Sequence, residues 1–355
     1  MTSPNKIEAI IKSLGHKPCG HKSILVLLDD ISPTPSTYLA CCAQDISPEN
    51  ISFLVNNGRG LIFAALSSTR AKELGLNYLT PSGSSLLDCM TVSVEARFGV
   101  STGISCADRA VTLNVLSSTK DAKQDLVTPG HIFPLVAKLG GVIVKTSAVE
   151  LAVDLCKLSK LAPVSALTQC LDANGKLLNL AQGIELATQL ELNYVSISEM
   201  VNYRLQREKI IELVESTKLS GNLELHKFKS TVEGGENHFA ITLNSKLFST
   251  QSSVIVRVQS EDLFNDLFAL DQGKRRAKTK ASMQAINAAN CGAFVYIRHP
   301  KRANNKTMDQ LRELGIGAQL LKTLGIEKIS LLGASDKIFS GISAFGIDIT
   351  ERISI

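Results

Sequence analysis

Short apolar runs alternate with helical patterns along most of the chain, and this alternation constrains the fold more than any other feature. In the first 200 residues the runs SILVLL, GLIFAAL, MTVSVEA, GVIVKT and YVSI are rich in β-branched residues and end at polar turns, as strands do. Two other segments, SPENISFLVNN and AVELAVDLCKLS, repeat apolar residues at the helical period of about 3.6. The mixture predicts an α/β (α+β) fold with a mixed β-sheet and flanking helices.

A second, smaller α/β domain is predicted in the last third of the chain. The 355 residues are enough for two domains of ordinary size. The charged segment 196–222 has a helical pattern and ends at Gly221 and Asn222, so we expect domains over 1–205 and 223–355 with a helical connector over 206–222. The second domain has the strand-like runs HFAITLN, SSVIVRV, CGAFVYIR, KISLLG and IDITERISI, with helices expected at about 277–290 and 307–324.

The composition indicates a cytoplasmic protein with no role in a membrane. No apolar stretch reaches the roughly 18 residues of a membrane span, and the first 17 residues lack the apolar core of an export signal. The eight cysteines include no CxxC pair and no zinc-like spacing, so reduced, buried thiols are expected.

Positive charge concentrates in two runs, although the net charge is only +5. GKRRAKTK (273–280) and RHPKRANNK (298–306) are either solvated faces or an anion site for a nucleotide phosphate or an RNA backbone. The anion-site hypothesis names Lys274, Arg275, Arg276 and Arg298. No aromatic residue interleaves these cations, which argues against a surface that stacks bases.

The stretch VSVEARFGVSTGISCADRAVTL (92–113) has the composition of a ligand-binding loop. Its glycines, Gly99 and Gly103, allow backbone amides to approach a ligand closely. Hydroxyl, carboxylate and guanidinium groups accompany them, from Thr102, Ser105, Asp108, Arg109 and Thr112. These groups suit a small phosphorylated polyol, although an Asp-Arg pair also closes turns in proteins that bind nothing.

Several separated motifs resemble the 3,4-dihydroxy-2-butanone 4-phosphate synthase family in its order. They are GVSTGISCADRA, TPGHIFPL (128–135) and LGGVIVKTSAVELAVDL (139–155), and the resemblance covers about residues 5 to 205. It implies a dimer with sites near the subunit interface. It also implies conversion of ribulose 5-phosphate to a four-carbon ketone phosphate and formate, with Mg²⁺ held by acidic side chains.

This sequence departs from the family at the segments that carry that chemistry. The family's acidic loop is reduced to Asp29 and Asp30, followed by ISPTPSTY. The resemblance places Thr128 where the family has a phosphate-binding arginine, Ala148 where it has a histidine, and Gln169 where it has a glutamate. It retains His131, as a weak metal ligand, and Glu150, so any surviving catalysis would rest on Asp29, Asp30, His131 and Glu150.

The last third of the chain resembles GTP cyclohydrolase II, most clearly in VIVRVQSEDLFNDLF (254–268) and in 311–355. In that family a cysteine in SEC and two in RCDCG hold zinc. Here Asp262 stands at the first position and DQGKRRAK covers the other two, so we expect no zinc and no cyclohydrolase activity.

These observations favour a degenerate two-domain protein that binds or regulates rather than catalyses. Its expected ligand is a ribulose 5-phosphate-like sugar phosphate or a nucleotide, and its expected partners are a second copy of the chain or an active homologue. One alternative is residual or altered synthase (lyase) activity on ribulose 5-phosphate with Mg²⁺. Another is a nucleotide- or RNA-binding module built on the basic runs.

Overall fold

The computed structural model describes residues 3–16, 23–79, 89–118, 122–232, 236–298, 306–333 and 342–355. The chain divides into two compact units, 1–203 and 204–355. Among the helices of the described ranges, none is both long enough and apolar enough to span a bilayer.

The first unit contains a seven-stranded sheet with helices packed against it. Its strands are β1 (Leu25–Asp29), β2 (Ser36–Cys42), β3 (Phe63–Ser67), β4 (Val94–Ala96), β5 (Leu126–Ala137), β6 (Val164–Gln169) and β7 (Asn193–Ser196). Its helices are α1 (Ser3–His16), α2 (Pro48–Gly58), α3 (Ser68–Glu73), α4 (Cys106–Ser117), α5 (Ala148–Leu158), α6 (Leu180–Gln189) and α7 (Ile197–Arg207), whose last turn belongs to the second unit.

The strand order of this sheet is β4-β5-β3-β6-β2-β1-β7. β3 pairs parallel with β5 and β1 pairs parallel with β7, whereas the other neighbours are antiparallel. The predicted mixed sheet is therefore confirmed. All residues of β1, β2 and β3 are buried, which explains why their apolar residues follow one another, as in LVLL, YLACC and FAAL, instead of alternating with polar ones.

Helix α2 shows how local sequence sets an element boundary in this unit. Ser47 is its N-cap and its hydroxyl accepts a hydrogen bond from Asn50 N, while Oδ1 of Asn50 accepts one from Ser47 N. Pro48 occupies the first helical position, where its missing N–H costs nothing. The helix predicted in SPENISFLVNN is confirmed.

The second unit contains another mixed seven-stranded sheet, in the order β14-β13-β11-β12-β10-β9-β8. Its strands are β8 (Ile211–Lys218), β9 (Leu223–Ser230), β10 (Asn237–Leu243), β11 (Val254–Ser260), β12 (Gly292–Ile297), β13 (Lys328–Leu332) and β14 (Asp348–Ile353). Its helices are α8 (Leu263–Phe268), α9 (Lys274–Ala288) and α10 (Lys306–Thr323).

Two secondary-structure predictions are wrong. The expected strand GVIVKT is a 3-10 turn over Gly141–Ile143, entered through Gly140 at a φ of 95°. The expected helical connector over 206–222 is mostly β8, which pairs antiparallel with β9 at the edge of the second sheet. Seven of the eight residues of β8 are exposed, so its glutamates and lysine are compatible with a solvent-facing edge strand as well as with a helix.

Candidate functional site

A carboxylate and an imidazole are in contact where β4 pairs with β5. Glu95 lies on β4 and His131 on β5, and the Nδ1 atom of His131 is 2.8 Å from Oε2 of Glu95. The Glu95 side chain is 10% exposed and the His131 side chain 43% exposed, so the imidazole is the member of the pair that solvent and ligands reach. A half-exposed imidazole fixed by a carboxylate is able to give or take a proton at its other nitrogen.

The loop before α4 wraps over the carboxylate of Glu95. Gly103 has a φ of +86°, and a Cβ atom at this position would lie 1.9 Å from Oε2 of Glu95. From α4, Oγ1 of Thr112 accepts a hydrogen bond from Ala96 N at 3.1 Å and lies 3.4 Å from Oε1 of Glu95. The predicted binding loop and the Glu95–His131 pair therefore form one site.

Asp108 holds the loop together from inside. Its carboxylate accepts hydrogen bonds from Ser101 N at 3.2 Å, from the Ser101 hydroxyl at 2.8 Å and from Gly103 N at 3.0 Å. The hydrogen bond from the Ser101 hydroxyl is the main cause that lowers the pKa of Asp108. Its backbone N–H donates in turn to Ser105, the N-cap of α4. Because Asp108 occupies these two loop amides, they are not open to a phosphate in this conformation.

Other residues of the predicted binding loop are exposed or half-buried. Thr102 and Ser105 are exposed, and Arg109 is half-buried in the first turn of α4. The Nε atom of Arg109 is buried and has no hydrogen-bond partner in the part of the chain that the structure describes. A cation with an unsatisfied donor in the first turn of a helix, preceded in the loop by two exposed hydroxyl residues, fits an anionic group such as a sugar phosphate.

Asp29 and Asp30 are engaged in the fold. Oδ1 of Asp29 accepts hydrogen bonds from the backbone N–H groups of Ile31 and Ser32, and Oδ2 accepts one from the Ser32 hydroxyl at 2.6 Å. Asp30 accepts from Ser198 through both oxygens, from its N–H at 3.1 Å and from its hydroxyl. The two acids thus fix the turn after β1 and the start of α7.

Glu150 is fully buried at the start of α5, with an exposed fraction of 0%. It accepts hydrogen bonds from Lys138 N at 3.0 Å and from the hydroxyl of Ser147, the N-cap of α5. Burial raises the pKa of its carboxyl. Glu150 therefore anchors the chain after β5 to the start of α5.

The predicted catalytic residues do not form one cluster within a single chain. His131 and Lys138, the backbone partner of Glu150, are seven residues apart along extended β5, or about 20 Å. β1 and β5 are separated by three strands, so Asp29 and His131 are about 19 Å apart across the sheet. The structure pairs His131 with Glu95 instead, a residue that the sequence reasoning did not single out.

Few side chains in the described part of the chain could coordinate Mg²⁺. No three His, Cys, Asp or Glu side chains cluster there in a way that could hold a metal ion. Mg²⁺ is often held by one or two carboxylates and takes its other oxygens from water and substrate. Asp29, Asp30 and Glu150 are engaged elsewhere, and Glu95 already has one oxygen against His131 and the other against Thr112, so an Mg²⁺ ion at Glu95 would have to displace one of these contacts.

Most of the second-unit cations chosen for an anion site are bound within the fold. Arg275 pairs with Asp266 at 2.8 Å and donates to the Ser260 carbonyl. Arg276 donates to the carbonyls of Asp266 and Leu267. Arg298 pairs with Glu261 at 3.0 Å, and Lys274 is exposed at the start of α9. The three arginines are held by different partners and Lys274 is exposed, so the four cations are not arranged as a phosphate site requires.

The positions aligned with zinc ligands have other structural uses. Asp262 is the N-cap of α8, where its side chain accepts from Asn265 N at 3.4 Å. The single second-unit cysteine, Cys291, is buried just before β12, and burial raises the pKa of its thiol. A zinc site takes three or four thiolate, imidazole or carboxylate ligands, and these residues do not supply them.

Comparison with known proteins matches both halves of the chain to described families. Residues 19–203 match the family 3,4-dihydroxy-2-butanone 4-phosphate synthase, and residues 208–354 match GTP cyclohydrolase II. Riboflavin biosynthesis protein RibBA of Aquifex aeolicus is 29% identical, over 94% of this chain and 89% of its own length.

Two solved structures give the same picture at the level of the fold. The crystal structure of RibBX, a two-domain 3,4-dihydroxy-2-butanone 4-phosphate synthase from A. baumannii, superposes with a TM-score of 0.82 at 24% identity, covering 98% of this chain and 99% of that one. A 3,4-dihydroxy-2-butanone 4-phosphate synthase in complex with two magnesium ions superposes with a TM-score of 0.52 at 26% identity, covering 57% of this chain and 97% of that one. The chain belongs to the 3,4-dihydroxy-2-butanone 4-phosphate synthase family of riboflavin biosynthesis, with a GTP cyclohydrolase II domain fused behind the synthase domain.

Proposed function

We propose that this protein binds a sugar phosphate at the loop before α4 and acts as a binding or regulatory partner, without the family's synthase turnover. The observation that carries the proposal is that the three acidic residues expected to catalyse the reaction, Asp29, Asp30 and Glu150, are hydrogen-bonded or buried within the fold. Asp29 and Asp30 have both carboxylate oxygens engaged by the fold, and Glu150 is fully buried. Enediol chemistry needs a base within reach of the sugar carbons, and these three carboxylates are committed elsewhere.

Ligand binding survives in this proposal because different residues carry it. Arg109 has a donor without a partner among the described residues, and Thr102 and Ser105, which precede it in the chain, are exposed. The loop amides of Ser101 and Gly103 belong to Asp108, so the phosphate is held by side chains and the first turn of α4. Binding of moderate strength is expected from one guanidinium and two hydroxyls.

The distances within one chain also support a partner, either a second copy or an active homologue. The half of the site at His131 lies about 20 Å from the half at Glu150, by the strand spacing given above. A reaction or ligand that used both halves would have to take them from two chains. Homodimer formation, or association with an active homologue, is therefore part of the proposal.

The test is titration of the full chain with ribulose 5-phosphate, with and without Mg²⁺, following heat of binding and formate in the same sample. We expect heat without formate. Arg109→Gln should weaken binding by about tenfold because it removes the charged donor, whereas Lys157→Gln, an equal charge change on an exposed position of α5, should not. Sustained formate release would contradict the proposal. Absence of any binding heat would contradict it as well.

The second candidate is residual synthase activity, and the Glu95–His131 pair favours it. A half-exposed imidazole 2.8 Å from a carboxylate could exchange a proton with a bound sugar. Glu95 would hold Mg²⁺, which when bound polarises a substrate carbonyl. Under this candidate, formate release is seen with wild type and is lost in both His131→Ala and Glu95→Gln.

A further inference from the structure

Two cysteines from distant parts of the chain are in contact inside the first unit. Cys42 is the last residue of β2, and Cys156 lies in α5, 114 positions later. Their Sγ atoms are 3.0 Å apart, and the exposed fractions of the two residues are 4% and 0%. A disulfide bond joins two sulfur atoms at about 2.05 Å, so a movement of about 1 Å separates this contact from a covalent bond.

Regular secondary structure holds both thiols in place. Cys42 pairs with Ser165 in the antiparallel ladder of β2 and β6. The Sγ atom of Cys156 lies 3.5 Å from the carbonyl oxygen of Val164, the first residue of β6. Helix α5 therefore places its thiol against the same two strands, and the packing of a helix on a sheet, which is close and rigid, fixes the pair.

Other buried cysteines of the first unit have different surroundings. Cys41 is next to Cys42 in β2, and successive residues of a strand point to opposite faces of the sheet. Cys41 and Cys170 pack into the hydrophobic cluster that includes residues of α2 and α4, and Cys42 and Cys156 are outside that cluster. Cys41 and Cys170 therefore serve as controls for the pair.

The environment of the pair decides which oxidant can react with it. The hydrogen bond from the Cys156 thiol, together with burial, holds the pKa of Cys42 well above its ordinary value. The thiolate is the reactive form of cysteine, so oxidation at this position is slow. A void of about 10 Å³, roughly the space of one water molecule, lies against Cys42 between β1 and α5. The oxidant must therefore be small, which favours hydrogen peroxide over a bulky disulfide.

We propose that Cys42 and Cys156 form a redox modification site, at which hydrogen peroxide converts the two thiols to a disulfide that links β2 to α5. One sulfur attacks a peroxide oxygen and the O–O bond breaks, which gives a sulfenic acid and a water that carries away the thiol proton. The other sulfur attacks the sulfenic sulfur, so that the S–S bond forms, the S–O bond breaks and a second water leaves. The two thiols together lose two electrons and two protons, and one peroxide becomes two waters.

The expected consequence is a more stable first unit under oxidising conditions. The cross-link joins residues 114 positions apart, and a disulfide that closes a long loop restricts the unfolded chain strongly. It also ties α5, the helix that carries Glu150, to the central part of the sheet. The site does not involve the loop before α4, so the inference is independent of sugar-phosphate binding.

The test is peptide mapping of the full chain after treatment with millimolar hydrogen peroxide and alkylation of the remaining thiols, without a reducing agent. Trypsin releases Cys42 in the peptide 23–59 and Cys156 in the peptide 146–157. We expect a cross-linked species that joins these two peptides and is lost on treatment with dithiothreitol. Because the first peptide also contains Cys41, the species should disappear in Cys42→Ser and persist in Cys41→Ser.

Thermal unfolding gives a second measurement. Oxidised wild type should unfold at a temperature about 5 °C higher than reduced wild type. The shift should be absent in Cys156→Ala and present in Cys170→Ala, which removes a buried cysteine outside the pair. The wild-type peptide map decides the matter even where a variant does not fold. Sulfinic or sulfonic acids without a cross-link, a cross-link through other cysteines, or equal unfolding temperatures of oxidised and reduced wild type would overturn the proposal.

Discussion

Gly103 and Glu95 are in contact at the centre of the candidate site. The α-carbon of residue 103 faces the Glu95 carboxylate, and its φ of +86° lies in the left-handed region that side chains disfavour. Glycine therefore has two separate reasons to be at this position, a conformational one and a steric one. The two can be measured apart because Gly175 has only the first: its φ is +76° and a Cβ there would meet nothing within 4 Å.

We predict that Gly103→Ala destabilises the protein by about 3 kcal/mol, since left-handed backbone costs about 1 kcal/mol or more and overpacking costs about 1–3 kcal/mol. Gly175→Ala should cost only about 1 kcal/mol. Urea unfolding of both variants against wild type measures the difference. If the two variants lose the same stability, the contact between residue 103 and Glu95 is not as tight as the structure has it.

A second prediction at the residue scale concerns the pH dependence of stability that the buried Glu150 causes. Burial raises the pKa of Glu150 above 4.5, so the folded state holds the proton more tightly than the unfolded state. The stability from this group is complete below pH 4.5 and is lost as the pH rises through the raised value. We therefore expect Glu150→Gln to gain stability relative to wild type as the pH increases from 4.5 to 7.5.

Urea unfolding at the two pH values measures this change, and Glu185→Gln on α6, at an exposed position, is the control. The control should keep the same difference from wild type at both values. A constant offset for Glu150→Gln would mean that burial does not shift its titration.

The sequence analysis did not identify Glu95 as a site residue, and the physical reason is clear. Glu95 is a single carboxylate in the run VSVEA, and nothing nearby in sequence marks it as a partner for His131, 36 positions later. The pairing of β4 with β5 brings the two together, and strand pairing is not encoded by spacing. By contrast, the residues of 92–113 were identifiable because glycine, hydroxyl and charged side chains are concentrated in one short loop.

At the scale of elements, His226 links three neighbouring strands of the second sheet. Its Nδ1 lies 2.8 Å from the Ser216 hydroxyl on β8, and its Nε2 lies 2.8 Å from the Thr242 hydroxyl on β10. The side chain is buried, and desolvation lowers its pKa even though Glu224 at 3.9 Å acts in the opposite direction. A neutral imidazole is therefore part of the strand packing.

This arrangement predicts acid sensitivity of the second unit. A lowered pKa means that the unfolded state takes up a proton near pH 6.5 while the folded state resists it, so stability present above pH 6.5 is lost as the pH falls. Wild type should lose stability between pH 7.5 and 5.5 relative to His226→Gln. Thermal unfolding at both values tests this, with His16→Gln at an exposed position of α1 as control. The same difference in unfolding temperature between wild type and His226→Gln at both pH values would contradict this prediction.

Sequence patterns predicted elements well where burial and periodicity agree. The apolar runs of β1, β3, β10, β12 and β13 and the helices α2, α5, α9 and α10 all form. The strand β8 was predicted as a helix because its charged, exposed residues have no two-residue hydrophobic alternation. The strand prediction for GVIVKT was wrong because Gly140 and Gly141 adopt left-handed backbone conformations, which end a strand. In both cases the deciding fact was the neighbouring chain, since β8 is held by β9 and Gly141 faces Asp154.

At the scale of the whole molecule, each unit has the fold of its family, and the acids at the positions where the sequence analysis expects metal ligands make hydrogen bonds within that fold. In the first unit the acids at 29 and 30 fix a turn and a helix start. In the second unit Asp262 is a helix N-cap. Each unit has its own sheet and buried residues, and in the described part of the chain no three His, Cys, Asp or Glu side chains cluster in a way that could hold a metal ion.

We predict that metal removal leaves the protein folded. A structural zinc contributes about 10 kcal/mol or more to folding, so its loss is easily detected. We expect EDTA followed by 1,10-phenanthroline to leave the thermal unfolding curve of the full chain unchanged, and elemental analysis of untreated protein to give well below one zinc per chain. The elemental count covers all 355 residues, including those outside the described ranges. About one zinc per chain, with a fall in Tm on chelation, would show that the second unit keeps the metal of its family through ligands other than Asp262.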